Sequence, residues 1–391
     1  MTLDFASVTE DATEAALHQI VSQTFPGLGP DWKTWSGRIG RENLRVIRRG
    51  EQILGGLAFY KLGQWFGGQT LPMAGIAGVA VAPEYRAAGI AAELMAAVLR
   101  DLYKQRIPIS TLYASTQRLY RKVGYEHGGT AYVHRLPLDA IGRRVSVLPM
   151  HRVTADTRTP FEHLAEVRAR ATNGNLQRSN GMWERLFFFR DKMSYAYLIG
   201  DQENPQGSLV YYHGELNDHG YFDLHVRDMV AVTPQAAETL WSFFYGHRSM
   251  SDSVFWCGPA NDPLLGLPGE APFRVDDPHR WMLRIVDVVQ ALCLRGYPVG
   301  IEGELHLEIE DSVIPQNNGR FLLRVAHGQA TVEPGGRGEL HCGIGGLACL
   351  FSGITPANQL GMLGLLEGPE TSIQLACGLF AGPEPWMSDM F

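Results

Sequence analysis

The sequence has 391 residues, of which 45% are hydrophobic and 19% charged, and its formal net charge at pH 7 is −7. At ~100–200 residues per domain, this length predicts two to four domains with ample material for hydrophobic cores. The negative charge argues against nucleic acid as the principal partner and tolerates cationic substrates. No apolar run approaches the ~20 residues that span a bilayer. The N-terminus lacks the basic-then-apolar layout of a signal peptide, so we expect a cytoplasmic protein with no membrane partner.

The cysteines do not indicate a metal site or a disulfide framework. They are odd in number, and none occurs in the first 256 residues. No Cys-x-x-Cys pair or Cys/His spacing typical of zinc is present. We therefore predict free thiols and no bound metal.

The first predicted domain, residues 1–141, is a mixed α/β structure. Asp11 to Glu14 has the pattern of an N-cap and capping box, followed by an apolar helical face to about Gln23. A helical or loop segment with Trp32 and Trp35 comes next. Glycine-bearing turns and apolar periodicity predict the remaining elements. The predicted strands are 44–48, 53–62, 71–81, 109–113 and 130–135, and the predicted helices are 89–104 and 117–123.

The second predicted domain, residues 142–285, repeats this rhythm. Strands are predicted at 196–198, 208–212, 221–230 and 254–257, and helices at 160–169 and from the cap Thr233 to Tyr245. No glycine-bearing Arg-x-x-Gly turn precedes Pro234, where the second of these helices starts. If this segment is a copy of the first, its cofactor site has been lost.

The third predicted domain, residues 286–391, opens with a helix from Asp287 that is expected to end at Gly296 as its C-cap glycine. Alternating strands are predicted at 303–310, 320–326 and 330–333, followed by helices at 345–351 and 356–363. The whole chain is therefore predicted to be of the α/β (α+β) class.

The stretch that carries the clearest chemistry is a strand–turn–helix from Val79 to Ala92. The first-turn amides of the predicted helix lack intrahelical partners and form a ready site for a pyrophosphate. Small side chains in the turn allow close approach of the backbone. Arg86 either adds a cation beside the phosphates or anchors the loop to an acidic partner. The residues predicted to line this site are Val79, Ala80, Val81, Arg86, Ala87, Ala88, Gly89, Ile90, Ala91 and Ala92.

The strand before the turn has a second predicted use. If its end separates from the neighbouring strand, the amides and carbonyls near Val79 and Val81 are free to bind a pantetheine arm. An amide there could also polarise a thioester carbonyl. The alternative is an incidental Arg-x-x-Gly in an ordinary strand–turn–helix.

These residues resemble the acetyl-CoA motif of the GNAT superfamily of N-acetyltransferases, and the likeness covers about the first 135 residues. The segment from Ala114 to Tyr125 resembles, more narrowly, the enhanced intracellular survival (Eis) acetyltransferases. That resemblance implies tandem GNAT folds, the second degenerate, then a sterol-carrier-protein-like domain that presents the C-terminal carboxylate. It also implies acetyl-CoA as co-substrate, with Ser115 and Thr116 at its site, and a homohexamer.

By the same resemblance, Tyr120 is the proton donor and the carboxylate of Phe391 is the proton acceptor. An aromatic terminus after Trp386 by itself predicts docking, either as a catalytic group or as a hydrophobic plug. Tyr120 could also be a packing residue. Tyr125 is its competitor and is expected to be structural.

The predicted reaction is direct transfer of acetyl to a primary amine of aminoglycoside, polyamine or lysine type. A lysine-like amine is mostly protonated at neutral pH, since its reference pKa is ~10.4, so a base is required. Trp32, Trp35, Trp65 and Phe66 either wall the acceptor pocket or belong to the core. Asp389 is a further substrate candidate. Met390 stands where the best-known member of the family has an acidic residue, which puts aminoglycoside affinity in doubt.

Two other functions fit the sequence. One is a catalytically silent CoA- or lipid-binding module. The retention of Tyr120 and of a terminal aromatic residue speaks against it. The other is a tandem-GNAT peptide acyl- or aminoacyltransferase, in which the acceptor cleft lies between domains and the terminus is not catalytic.

Overall fold

A computed structural model describes residues 3–154, 156–189, 192–268 and 273–391. The chain divides into two compact units. The first unit contains Met1–Gly129, Arg280–Glu384 and Phe391, and the second contains Thr130–His279 and Pro385–Met390. The first and third predicted domains therefore share one unit. No helix within the described ranges combines the length and the apolar character that crossing a membrane requires.

The N-terminal part of the first unit is a twisted sheet with helices packed against it. Four strands pair antiparallel in the order β1-β2-β3-β4, and β5 then pairs parallel to β4. Residues 281–285 of the strand Arg274–Ile285 add an antiparallel partner to β5. In chain order the elements are β1 (Asp4–Ser7), α1 (Asp11–Thr24), α2 (Trp32–Ile39), β2 (Leu44–Arg49), β3 (Gln52–Phe66), β4 (Gln69–Val81), α3 (Ile90–Lys104), β5 (Ile109–Tyr113) and α4 (Gln117–Arg121).

Helix α3 forms because its apolar residues recur at helical spacing and cover one face of this sheet. Leu94, Val98 and Leu99 are fully buried, and they pack with Phe59 and Ile76 from the strands. Burying a Leu or Val side chain stabilises the fold by about 1.5–3 kcal/mol. This packing fixes the N-terminal end of α3 beside the end of β4.

Two predicted helix ends are wrong. The N-cap of α1 is Glu10, which makes no side-chain cap, and Asp11 and Glu14 instead form ion pairs with Arg41 at 2.5 and 2.6 Å. The helix expected to end at Gly296 has Arg295 as its C-cap. A Cβ at Gly296 would lie 2.0 Å from the carbonyl oxygen of Gly67, so close backbone approach explains this glycine.

The C-terminal part of the first unit has its own four-stranded sheet and helices. Its strands are Gly303–Glu310, Gly319–Ala326, Gln329–Pro334 and Leu340–Gly343, and its helices are Val288–Leu294, Ile344–Ser352, Ala357–Met362 and Glu370–Leu379. The sequence does not predict Leu340–Gly343 or Glu370–Leu379. A fully buried ion pair joins Arg284 to Asp311 at 2.7 Å. Removing one partner of such a pair destabilises a fold by about 3–5 kcal/mol.

The second unit is also a sheet flanked by helices. Its main strands are residues 132–137 of Glu126–Pro137, then Met150–Val153, Tyr195–Gly200, Pro205–His213, Phe222–Ala231 and Ser251–Gly258. Its helices are Thr159–Arg170, Asn180–Phe187 and Pro234–Gly246, and short strands lie at Leu176–Gln177, Phe188–Phe189 and Lys192–Met193. Thr233 caps the last of these helices as predicted, accepting a hydrogen bond from the amide of Ala236 at 3.2 Å. The helix Asn180–Phe187 is not predicted from the sequence.

Candidate active site

Strands β4 and β5 separate before β4 ends. Their parallel register runs from Met73 opposite Ile109 to Ile76 opposite Leu112. Beyond that point β4 continues to Val81, whereas β5 ends at Tyr113. We call this separation the first fork. Backbone groups of residues 77–81 thus face the fork on the β5 side, which is the arrangement that pantetheine binding requires.

A β-bulge lies at the first fork. The register of β3 with β4 shifts between Gly56 and Ala58, so that Gly78 and Val79 together occupy the place of one residue. Gly78 has φ 61°, and a Cβ on it would lie 2.9 Å from the ring of Trp35. Bulges bend a strand and redirect its side chains. The bulge and Trp35 therefore shape the fork together.

The turn after β4 is open towards solvent. Gly89 is the N-cap of α3 in the left-handed conformation, with φ 81°, and a Cβ there would meet nothing within 4 Å. Ala87 also has a positive φ, 62°. Residues 86–89 are exposed. The amide of Ala92 donates to the carbonyl of Gly89 at 3.0 Å. The turn itself lies at the positive end of α3 and leaves free space for a pyrophosphate.

Arg86 ties the turn to its neighbours. Its guanidinium donates to the carbonyl oxygen of Val81 at 3.4 Å and to the hydroxyl of Thr24 at 3.3 Å. These partners differ from the acidic one considered as an alternative for the sequence. Arg86 thus helps to set the path from β4 into α3 while its positive charge stays at the exposed turn.

Ser115 and Thr116 follow β5 on the other side of the fork. Both are exposed. Thr116 is the N-cap of α4, but its side chain makes no cap hydrogen bond. Two small hydroxyl side chains therefore stand at the end of β5, opposite the free edge of β4.

Tyr120 and Tyr125 have different surroundings. Tyr120 is 5% exposed, its ring centroid lies 6.0 Å from that of Tyr125, and burial raises its pKa to about 12. The hydroxyl of Tyr125 is hydrogen-bonded to Oγ of Ser110 at 2.7 Å, and Ser110 in turn donates to the carbonyl of Ala74. Tyr125 therefore has a structural partner inside the sheet.

The ring of Phe391 lies on the sheet beside the first fork. Its centroid is 6.1 Å from that of Tyr60 on β3 and 5.8 Å from that of Tyr113 on β5. A Cβ on Gly75, which lies on β4 between these strands, would be 2.8 Å from Cε2 of Phe391. Glycine at position 75 thus makes room for the terminal ring.

Tyr120 and Phe391 are on opposite faces of this sheet. Gly75 is in register with Tyr60 and Thr111, and successive residues of a strand point to opposite faces. Ile76 and Leu112, the last pair before the fork, point to the α3 face and pack in the core cluster that includes Tyr120. The fork therefore opens between a face that carries the terminal residue and a face that carries Tyr120.

The four predicted aromatic wall residues divide into two groups. Trp35 is half-buried at the bulge, while Trp32 is buried, stacks on His18 at 4.9 Å and donates to Glu14. Trp65 is buried opposite Thr70, which lies about 16 Å along β4 from Gly75 at ~3.3 Å per residue. The remaining aromatic residue, Phe66, packs edge-on against Phe351 at 5.0 Å. Of the four, only Trp35 borders the fork.

Asp389 is held by an arginine within the second unit. Both of its carboxylate oxygens accept from Nε of Arg178, at 2.8 and 3.1 Å. The side chain of Arg178 is 2% exposed. This partner differs from the predicted role, since the carboxylate that was to bind substrate is engaged with Arg178.

The seat of Phe391 was not predicted. Its residues, Tyr60, Gly75 and Tyr113, lie on three different strands, so their contact with the terminus depends on the tertiary fold. One signal was available, because a glycine inside a strand often marks close approach of another group. Gly75 is such a residue.

A cavity of about 350 Å³ lies elsewhere, within the second unit. Its lining includes Arg152, Tyr195, Tyr211, His213 and Phe222. It adjoins Gly246, the last residue of the helix Pro234–Gly246, and so lies at the helix end that repels anions. The features needed for a phosphate-bearing co-substrate are at the first fork, not here.

Comparisons with known proteins agree with this geometry. Family models described as "Acetyltransferase (GNAT) domain" match residues 5–128 and 174–285, and a "Sterol carrier protein domain" model matches residues 288–388. A crystal structure of a GCN5-related N-acetyltransferase from Anabaena variabilis is 40% identical, with TM-score 0.95 and all of both chains covered. The N-acetyltransferase Eis of Mycobacterium tuberculosis is 27% identical over 362 residues, 85% of each chain. The crystal structure of Eis1 from Mycobacterium abscessus, 21% identical with TM-score 0.80 and all of both chains covered, shares the fold.

The fold and the first fork define a GNAT protein with two acetyltransferase domains and a sterol carrier protein domain. Such enzymes use acetyl-CoA. The chain belongs to the GCN5-related N-acetyltransferases and is an N-acetyltransferase. The resemblance to the Eis acetyltransferases predicted from the sequence is confirmed by homologues that are 27% identical over 85% of the chain.

Proposed function

We propose that this chain transfers acetyl from acetyl-CoA directly to a primary amine, with Tyr120 as general acid and the Phe391 carboxylate as general base. The acceptor is a small cationic amine of aminoglycoside, polyamine or lysine type. The observation that carries the proposal is the seat of the Phe391 ring on Gly75, next to the last residue pair before the first fork.

The residues at the first fork fit acetyl-CoA. The amides of the first turn of α3, with the small residues Ala87, Ala88 and Gly89, suit its pyrophosphate. The free edge of β4 suits hydrogen bonds to pantetheine, and Ser115 and Thr116 face it from the end of β5. The co-substrate supplies an acetyl thioester. The chain supplies its orientation along the fork.

The terminal carboxylate has two uses in this proposal. At pH 7 the amine arrives mostly as ammonium, since its reference pKa is ~10.4. The carboxylate of Phe391 is an anion and matches this positive charge. The carboxylate then accepts the ammonium proton, directly or through water, so that the neutral amine can attack. Phe391 holds this group by its ring, which packs between Tyr60 and Tyr113.

Tyr120 would protonate the departing thiolate of CoA. Its pKa of about 12 exceeds the ~8.5 of a thiol, so the transfer is uphill by about 5 kcal/mol. Turnover at ~1–10³ per second corresponds to a total barrier of about 13–17 kcal/mol, which accommodates such a step. The raised pKa also keeps Tyr120 protonated, and hence ready to donate, at any ordinary assay pH.

A thiol-release assay with acetyl-CoA and a panel of amines tests both roles. We expect Tyr120→Phe to lower kcat strongly, while Tyr103→Phe, the matched control on α3, leaves it unchanged. Adding one glycine after Phe391 moves the carboxylate by about 3.5 Å and is expected to abolish most turnover. If extended and native chains turn over every active amine equally, the terminal carboxylate is not the base.

We also propose that the chain acts as a homohexamer, as the family resemblance implies. Analytical ultracentrifugation should then give six copies of the 43.3 kDa chain. A monomer that is fully active in the same buffer would contradict this.

A further inference from the structure

The second unit contains a fork of the same design. The strand Phe222–Ala231 pairs parallel with Ser251–Gly258 as far as His225 opposite Phe255, and then continues alone along that edge. Its register with Pro205–His213 shifts between Val210 and Tyr211, which places a bulge at Arg227. In both units the bulge therefore begins two residues after the last parallel pair. We call this the second fork.

The second fork lacks the phosphate-binding turn. Only Val232 and Thr233 separate its strand from the helix Pro234–Gly246. Pro234 has no amide hydrogen, and the amide of Ala236 is already bonded to Thr233. Two of the first-turn donors that a pyrophosphate would use are therefore absent or occupied.

The occupant of the second fork is the C-terminal tail, residues 385–390. Arg178 binds Asp389 and also donates to Asp228 at 2.6 Å, and Asp228 follows the bulge on one strand of the fork. On the other strand is Cys257, beyond the last pair, and its pKa is raised to about 11 by burial and then by the charge of Asp389. Asp389 thus lies between the two separated strands.

The main chain of the tail is bound as well. The amide of Trp386 donates to the carbonyl of Asn173 and the carbonyl of Trp386 accepts from Asn175, both at 2.9 Å. The carbonyl of Pro385 accepts from the amide of Thr130 at 3.0 Å. Arg185 donates to the carbonyl of Met390. Main-chain bonds to the loop residues Asn173 and Asn175 and to Thr130 thus hold the tail together with its side-chain anchors.

Charged side chains of the second fork interact with the tail. Burial alone would lower the pKa of Arg178, but Asp228 and Asp389 raise it above its ordinary value. Arg168 donates to the other oxygen of Asp228, and its guanidinium lies 5.5 Å from the ring of Trp386. Arg168, Arg178, Asp228 and Asp389 therefore form one chain of ion pairs, and Arg227 adds a further positive charge that interacts with Asp389.

We propose that the second fork has become a receptor for the chain's own tail, and that Arg178 and Asp389 are positioning residues for the carboxylate of Phe391. The Cα of Phe391 can lie no further than ~3.8 Å from that of Met390. Because the carbonyl of Met390 accepts a hydrogen bond from Arg185, binding of the tail limits where the terminal carboxylate can lie. The effect on catalysis rests on the function proposed above. The binding of the tail does not.

The experiment uses the full chain with Asp389→Asn, an isosteric change that removes the charge. The first readout is release of Phe391 by carboxypeptidase A, which removes C-terminal aromatic residues and needs the tail to be open. Loss of a charge-assisted hydrogen bond should raise the release rate by ~10-fold or more. Asp4→Asn, in an exposed pair with Arg48, is the matched control and should leave the rate unchanged.

Kinetics provide the second readout. In Asp389→Asn, kcat should fall while KM for acetyl-CoA changes less than about twofold, because the pair of Arg178 with Asp389 belongs to the second unit and the residues proposed to bind acetyl-CoA belong to the first. An Arg178→Met variant should raise the release rate too, and the double variant should exceed Arg178→Met by little, since both remove one interaction. The proposal that the second fork binds the tail is wrong if Asp389→Asn leaves the rate of Phe391 release by carboxypeptidase A unchanged. It is also wrong if the effects of Asp389→Asn and Arg178→Met on that rate are fully additive. Lost protection with unchanged kcat supports the receptor and instead contradicts the terminal base.

Discussion

Replacing Gly75 by alanine tests the seat of the terminal residue directly. The added Cβ would lie 2.8, 3.0 and 3.1 Å from three atoms of the Phe391 ring, whereas ordinary contacts begin near 3.4 Å. The ring must therefore move by about 0.5–1 Å, and a displacement of ~1 Å in a catalytic group can cost about 100-fold in rate. We expect kcat to fall 10- to 100-fold.

The strand itself should tolerate this change. Gly75 is not among the positive-φ glycines, and alanine in a strand interior is favoured over glycine by about 0.5–1 kcal/mol. The thermal midpoint should thus stay near that of the native chain, so that any loss of activity reports on the terminus. KM for acetyl-CoA is expected to be unchanged, because the phosphate-binding turn lies beyond the far end of β4.

Initial rates of thiol release over a range of amine and acetyl-CoA concentrations measure the effect. The control is Gly300→Ala, where a Cβ meets nothing within 4 Å. The double variant Gly75→Ala with Phe391→Leu provides a further test. Phe391→Leu shortens the side chain over position 75 and should restore part of the activity that Gly75→Ala loses. Native kcat in Gly75→Ala, or no gain from the second change, would refute the idea that the ring positions the carboxylate.

Three further outcomes follow from the structure. Tyr120→Phe should lower kcat by ~100-fold, as expected for loss of a general acid, and native pH–rate profiles up to pH 10 should show no basic limb from Tyr120, whose pKa is about 12. A basic limb that disappears in Tyr120→Phe would contradict this assignment. Equilibrium dialysis should give one CoA per chain, because the second fork lacks a phosphate-binding turn, and a value near two would contradict that reading. Arg168 and Arg178 outweigh the opposing effect of burial and hold the pKa of Asp228 at about 2, below its ordinary 3.8. Its contribution of about 2 kcal/mol to stability is therefore present above pH ~4 and lost as the pH falls towards 2. In Asp228→Asn, the free energy of unfolding measured with urea should therefore depend less on pH over that range than in the native chain. An equal pH dependence in the variant and the native chain would contradict the assignment.

The local parts of the site were predictable from sequence because their signals are local. Strand β5 has the predicted bounds, α3 follows from its helical periodicity, and the turn follows from Gly89, which the structure holds at φ 81°. The helix Asn180–Phe187 is not predicted because its Asn-Gly start reads as a turn. Its apolar residues Met182, Trp183, Leu186 and Phe187 do recur at helical spacing, so a local signal was present. Packing of Trp183 and Leu186 in the core decides for a helix.

The contacts of the Phe391 ring and the ion pair of Arg178 with Asp389 could not be predicted from the sequence, for a different reason. Each depends on residues far apart in the sequence, such as Tyr60 with Phe391 or Arg178 with Asp389. No spacing rule links these positions. Gly75 inside β4 indicates that another group approaches the strand closely, but a glycine in a strand does not show which group that is.

The position of the acidic residue in the tail bears on substrate choice. Asp389 is engaged by Arg178, and Met390 is apolar, so the terminal carboxylate is the one anion that the tail offers to an acceptor. A polycationic aminoglycoside gains most from several carboxylates, whereas a single amine needs only one. We therefore expect Met390→Glu to raise kcat/KM for aminoglycosides more than for lysine-type amines, because the new charge stands next to the proposed base without replacing it. Equal gains on both classes would mean that the added charge acts only by general attraction of cations.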